Sequence, residues 1–356
     1  MVEKSKAGDE TLIPGLFVTF MIAVVSFLTW WSLKDTQLKF SALLWAFVYS
    51  IIVTNIFHNL SSGKYKSGVK FASANLLRFA IAILGITISA AVWLKMGWVG
   101  VMCTLIVIAF AFSFGFIFCR YVLGMNLPLS ILIGAGTCNC GATAIAAVGP
   151  AIGAKSEEMG LSVATVTIFG LIAMFGYPML FNGPLGNWLE HNVLAYGLWA
   201  GMGIHETAQV IAAGDQIKGS VEMAMMAKSI RIFMIGPMVL VSVILFGYLN
   251  QKVDESERSK IAIPWFAAWF IALSFVDAYL ESSAFGTDWI HFSKTYIKPS
   301  ITFVLAWAFA GVGFNIKIKD LTKVGAKAFA GGLLTALTVG VLALLLTKHV
   351  WLPFNS

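Results

Sequence analysis

Five ionisable side chains stand inside long apolar stretches of this sequence, where a charge is energetically costly. They are Arg78, His205, Glu206, Lys228 and Arg231. An ionisable group at membrane depth needs a polar partner, so each is a functional candidate by default. Lys228 and Arg231 are three residues apart and would share one face of a helix. Three basic side chains and one carboxylate favour an anionic ligand. In the alternative interpretation, Lys228 and Arg231 extend toward a membrane interface and keep their charged ends in water.

The segment around His205 reads His-Glu-Thr-Ala-Gln and is close to a zinc-protease motif. In that motif, His-Glu-x-x-His, the second ligand is a histidine, whereas this chain has Gln209, which is a poor ligand. We therefore predict no metal site, no cofactor and no enzymatic activity. His205 and Gln209 would lie on one helix face with Glu206 beside them. We expect a polar core of Arg78, His205, Glu206 and Gln209, in which His205 or Glu206 carries a coupling proton.

Residues 127–150 are apolar but interrupted at their midpoint by glycines and polar residues. Two half-helices of about nine residues would each rise about 13 Å and together nearly cross a bilayer core of about 30 Å. Irregular backbone at that depth lines protein or a water-filled cavity. The sequence therefore predicts a broken helix and a binding site there, and a kinked packing helix is the alternative. The predicted site residues are Thr137, Cys138, Asn139, Cys140 and Gly141.

A second interrupted segment spans residues 297–316. It begins at a proline, like the first, and its apolar run ends in Gly311, Gly313 and Asn315. We predict a second broken helix here. The end of its half-helix would meet the corresponding end of the first broken helix at the bound substrate.

Composition places these residues in a membrane protein. The 356 residues are 59% hydrophobic and 12% charged, against about 25% charged in soluble domains. The net charge of +7 is too scattered for a nucleic-acid footprint, so we expect a lipid bilayer as partner and no nucleic acid. About eleven crossings are predicted. They lie at 13–33, 40–58, 72–93, 97–119, 127–150, 159–181, 193–213, 220–248, 261–280, 297–316 and 326–347.

The order of these spans predicts an internal repeat. Residues 1–39 form a tail and one extra helix, followed by five spans in 40–181 and five in 193–350, with the broken element fourth in each set. Five is odd, so the second set would enter the membrane from the opposite face. This is the pattern of an inverted-repeat transporter with crossed discontinuous helices, all-α and polytopic.

Lysine and arginine in the connections predict the orientation. They are more numerous on the face of the N-terminus, which we expect to be cytoplasmic in a multi-pass inner-membrane protein. Lys155 and Lys218 fall together on the opposite face in this assignment.

Several strings in order resemble the YeiH-type sulfate exporter family from about Ala72 to Leu346. They are LIGAGTCNCGATA, ATVTIFGLIAMFGYP, IHETAQVIAAG, KSIRIFMIGP, IPWF and AWAFAGVGF. The resemblance implies a fold similar to bile-acid symporters and NhaA-like antiporters, with crossed broken helices in a core domain. It matches Cys140, Gly141 and the polar residues His205, Glu206, Gln209, Lys228 and Arg231. This chain departs from the family at Thr137–Cys140, where Ser-Ser-Ile-Cys is common, and at Thr87, where a second arginine is frequent.

These observations predict a secondary transporter that moves a small anion, such as sulfate, sulfite or a sulfonate, by alternating access. A proton or a sodium ion could be coupled to the transport. The sequence does not decide whether the protein forms a homo-oligomer. The alternatives are a cation/proton exchanger of the same fold, which would want paired carboxylates at its helix break, and an anion channel.

Overall fold

The computed structural model describes residues 11–33, 41–61, 63–87, 90–250, 265–283, 285–318 and 324–355. The described residues form helices and connections without a strand. Within these ranges, seven helices are long and apolar enough to cross a membrane. Most of the N-terminal tail, with Lys4 and Lys6, lies outside the described residues.

The helices are numbered here in chain order. They are α1 Ile13–Leu33, α2 Ala42–Ile56, α3 Gly63–Thr87, α4 Leu94–Val122, α5 Leu127–Cys138, α6 Gly141–Ala151, α7 Ser156–Asn182, α8 Val193–Gly203, α9 Thr207–Asp215, α10 Val221–Phe233, α11 Ile235–Asn250, α12 Trp265–Ser282, α13 Gly286–Phe314 and α14 Ala326–Phe354.

The chain divides into two compact units. The first comprises Met1–Ile88 and Ala268–Ile318, and the second comprises Ser89–Ala267 and Lys319–Ser356. Each unit therefore combines stretches from both halves of the chain. The predicted five-span repeats divide the chain in another way and stay a prediction.

In the first unit, α13 is a continuous helix, so the predicted break within 297–316 is wrong. Its glycines serve close packing: a Cβ on Gly311 would clash with Ala72 and Ser73 of α3, and one on Gly313 with Ser50 of α2. Small residues let helix backbones approach in this way. The helix ends at Phe314 with Asn315 as its C-cap, and Thr54 Oγ1 donates to the carbonyl of Phe314 over 3.1 Å.

In the second unit, α5 and α6 form a hairpin and do not cross as one broken rod. Asn126, the N-cap of α5, donates to Glu158 in the first turn of α7 over 2.7 Å, and Met159 packs against Gly149 near the end of α6. A straight rod would separate Asn126 from Gly149 by about 34 Å. The chain enters along α5, turns, and returns to the same face of the unit.

Helices α8 and α9 form a second hairpin that the sequence did not predict, because 193–213 was expected to be one continuous span. The Tyr196 hydroxyl donates to the carbonyl of Ala213 over 2.9 Å, whereas an unbroken helix would separate these residues by about 25 Å. The hairpin turns at Ile204–Glu206.

The two hairpins enter the second unit from opposite ends. Helix α7 is about 40 Å long and joins them: its first turn contacts the open end of the first hairpin, and its last turn leads into the second. Lys155 precedes α7 and Lys218 follows α9. They therefore lie at opposite ends of the unit, which corrects the assignment of both to one face.

Candidate functional site

The tips of the two hairpins meet inside the second unit, in what we call the tip junction, formed by residues 137–143 and 201–207. Glu206 Oε1 accepts from the backbone N–H of Ala142 at 2.5 Å. The side chains of Cys140 and Thr207 are hydrogen-bonded at 2.8 Å. Four helix ends converge here: the C-termini of α5 and α8, and the N-termini of α6 and α9.

The first tip is shaped by residues with non-helical backbone. Asn139 has φ −115° and ψ −112°, and Cys140 has φ −123° and ψ 59°. Gly141 then has φ +42°, a region that favours glycine. A side chain at Gly141 would also collide with the Glu206 carboxylate. Glycine at this position therefore lets the two tips touch.

Lys228 of α10 binds main-chain carbonyls from both tips. Its Nζ donates to Asn139 over 2.8 Å, to Ile204 over 3.0 Å and to His205. An ammonium group has three protons, so all of them are used. The side chain is completely buried.

Arg231, one turn further along α10, makes the same kind of contact with the helix ends. Its Nε and Nη2 donate to the first hairpin, at Cys138 (2.9 Å) and Thr137 (2.5 Å). Its Nη1 is directed at three carbonyls of the second hairpin, those of Gly201 (3.2 Å), Met202 and Ile204 (3.0 Å). The pair therefore neither snorkels nor points its donors at open space.

Glu206 lies at the N-termini of both returning helices. Its carboxylate accepts from the N–H of Ala142 at the start of α6, and its backbone N–H donates to the Gln209 side chain in the first turn of α9 over 3.4 Å. Gln209 also donates to the carbonyl of Thr167 on α7 over 3.3 Å. Charges are thus sorted by helix end, with cations at the C-termini and the carboxylate at the N-termini, as helix dipoles favour.

This arrangement carries an excess of positive charge. Two helix C-termini and two N-termini contribute about half a charge each and cancel. Lys228 and Arg231 then face Glu206 as the one carboxylate, so about one positive charge is left over with His205 neutral. Burial of an unbalanced charge is costly unless the charge is paired.

Two polar side chains in the tip junction have unpartnered atoms in the described structure. Both amide atoms of Asn139 and the Nδ1 atom of His205 are buried without a hydrogen-bond partner. The exposed fraction is 0% for Asn139 and 1% for His205. Such groups need an explanation, and a ligand is one. Access lies nearby, because Ala142, Thr143 and Glu206 are partly exposed while residues 137–141 and 201–205 are buried.

The structure therefore brings together most of the predicted site residues: Thr137, Cys138, Asn139, Cys140, Gly141, His205, Glu206, Gln209, Lys228 and Arg231. Gly311, Gly313 and Asn315 belong to the first unit as packing and capping residues of α13. Arg78 is an exposed residue of α3, also in the first unit, so its prediction as a polar-core residue is wrong. Among the described residues, no group of three or more His, Cys, Asp or Glu side chains could hold a metal ion.

Sequence reasoning missed the second tip, although a signal was present. The chain has Gly134-Ala-Gly136 just before the first tip and Gly201-Met-Gly203 at the start of the second. Each hairpin also begins at an asparagine N-cap, Asn126 or Asn192. The same local pattern marks both elements.

Comparison with known proteins supports the prediction of a membrane protein. The family described as conserved hypothetical protein 698 matches residues 14–332. A UPF0324 membrane protein of Yersinia pestis is 31% identical over 323 residues, covering 88% of this chain and 86% of the relative. The UPF0324 inner membrane protein YeiH of Salmonella typhimurium is 30% identical, covering 88% and 87%. A UPF0324 membrane protein of Pseudomonas aeruginosa is 30% identical, covering 90% and 89%. The chain therefore belongs to the conserved hypothetical protein 698 (UPF0324) family of membrane proteins.

Proposed function

We propose that this protein is a secondary transporter that moves a small anion, such as sulfate, sulfite or a sulfonate, across the cell's inner membrane. The observation that carries the proposal is the uncompensated positive charge at the buried tip junction. Relatives named as inner membrane proteins support the location. The cytoplasmic N-terminus stays part of the proposal.

The anion site lies at the start of α6, beside Glu206 and the unpartnered Asn139 amide. A helix N-terminus attracts anions through its dipole and its N–H groups. The N–H of Ala142, which Glu206 now binds, becomes available when that carboxylate withdraws, and the amide nitrogen of Asn139 supplies a further donor. Lys228 and Arg231 do not bind the anion directly in this proposal, because their protons are bound to carbonyls of the helix ends. They supply charge, and they hold the tips in place.

Glu206 couples the anion to a proton in this proposal. Its carboxylate occupies the N-terminus that the substrate needs, and two anions would repel each other there. Protonation of Glu206 removes that repulsion and weakens its bond to Ala142. The substrate anion and a proton then enter together. Hairpins that rise from opposite ends offer a route to alternating access from either face.

Counterflow in proteoliposomes tests the substrate class. Liposomes preloaded with unlabelled sulfate, sulfite or a small sulfonate should take up the labelled anion with saturable kinetics. Asn139→Ala should abolish uptake, because the amide donor is lost, whereas Asn187→Ala, at an exposed surface position, should not. Wild-type rates in Asn139→Ala would remove the site from the proposal.

A cation/proton exchanger is the second candidate, favoured by the partly exposed carboxylate of Glu206. It predicts proton flux driven by sodium or lithium in the same liposomes. Such flux without any anion uptake would replace the anion proposal.

A further inference from the structure

The Lys228 ammonium group sits in a ligand set made only of main-chain carbonyl oxygens. Asn139 contributes one oxygen from the first hairpin, and Ile204 and His205 contribute two from the second. We call these three oxygens the carbonyl cage. Two of the contacts are 2.8 and 3.0 Å long. The cage is sealed from solvent, since Lys228 and Asn139 have an exposed fraction of 0%.

Such a ligand set is suited to a monovalent cation. Carbonyls of unwound backbone and of half-helix C-termini coordinate coupling cations in transporters with discontinuous helices. The negative ends of α5 and α8 both point here, which adds to the attraction.

We infer that the carbonyl cage is a monovalent-cation site that this chain fills with its own lysine. The ammonium group of Lys228 takes the position of a free cation and joins the two hairpin tips through α10. The tips are therefore closed by a tethered charge, and transport needs no free sodium ion. This inference does not depend on an anion as the cargo.

Arg231 provides a matched comparison on the same helix. Its planar guanidinium binds carbonyls of the same two helix ends, but through a fork of five N–H donors, which a spherical cation does not replace. Removal of Lys228 should therefore leave a cavity that selects a small cation, whereas removal of Arg231 should leave one that selects guanidinium.

Chemical rescue of thermal stability tests the cage. Lys228→Ala, purified in detergent without sulfate, sulfite or sulfonate, is titrated with sodium, potassium, methylammonium or guanidinium chloride, each replacing choline chloride so that the chloride concentration stays constant. We expect its melting midpoint to rise saturably with methylammonium or with an alkali cation, as ligand binding to the native state requires. Arg231→Ala should respond to guanidinium and not to methylammonium. Lys228→Met, which keeps an unbranched side chain in the cavity, should not respond.

The inference is overturned if Lys228→Ala shows no saturable rise beyond that of wild type, or if Arg231→Ala responds to the same cations. If Lys228→Ala is recovered only as aggregate, it is expressed and purified with methylammonium throughout, and failure to recover folded protein then counts against the inference. In liposomes, wild-type flux should be unchanged when choline replaces sodium, and a sodium requirement would contradict the tethered cation. These stability measurements contain no cargo, so their failure is distinct from failure of the anion proposal.

Discussion

Replacement of Gly141 by alanine tests whether contact between the two tips is needed for function. Gly141 has φ +42°, where an L-residue costs about 1–2 kcal/mol. The added Cβ would also push the Glu206 carboxylate away from the N–H of Ala142. A hydrogen bond to a charged group contributes about 1.5–3 kcal/mol. Gly141→Ala should therefore lower the free energy of unfolding by about 2.5–5 kcal/mol, the sum of these two effects.

Gly153 offers a control with the same backbone strain and no collision. Its φ is +63°, and a Cβ there would meet no atom within 4 Å. Gly153→Ala should therefore lose only the backbone contribution of about 1–2 kcal/mol and should transport normally. Both variants are compared with wild type by denaturant titration and by counterflow in liposomes. Equal losses of stability, or normal transport by Gly141→Ala, would refute the idea that Glu206 joins the tips.

Three further predictions concern the same unit. Arg231→Ala leaves buried carbonyls of two helix ends without a donor and should cost at least about 1–3 kcal/mol, the penalty for a buried acceptor left unsatisfied; a loss below 1 kcal/mol in denaturant titration would contradict the bonds described. Lys155→Cys and Lys218→Cys should react with an impermeant maleimide from opposite faces of the membrane, whereas straight crossings would place both on one face. Acidification should increase anion uptake by wild type, because a protonated Glu206 no longer repels the substrate. Glu206→Gln should show uptake that hardly varies with pH, and a retained pH dependence would assign the proton to another group.

The sequence predicted the membrane setting and most of the site, because these follow from residue type. Charges within apolar stretches are costly wherever the chain folds, so Lys228, Arg231 and Glu206 were identifiable without coordinates. Their partners were not. The carbonyls that bind Lys228 and Arg231 belong to backbone, and backbone acceptors carry no signature in a sequence.

The path of the chain was harder to predict, for a related reason. A broken helix that crosses and a hairpin that returns have the same apolar length, and they differ by a few dihedral angles at the tip. The contact of Asn126 with Glu158 distinguishes them, and it links positions far apart in the chain. The glycines of α13 were misread because close packing against Ser50 and Ala72 selects the same residue as a helix break does.

Charge movement on solid-supported membranes tests the central claim most directly, because it reports the sign and the saturation of transport in one experiment. A jump in the concentration of sulfate over proteoliposomes, with the sodium concentration constant, should give a transient current, because a divalent anion that enters with one proton moves net negative charge. That current should saturate with anion concentration and grow when the pH is lowered. Currents that follow sodium or lithium and ignore every anion would contradict an anion transporter built on the two hairpin tips.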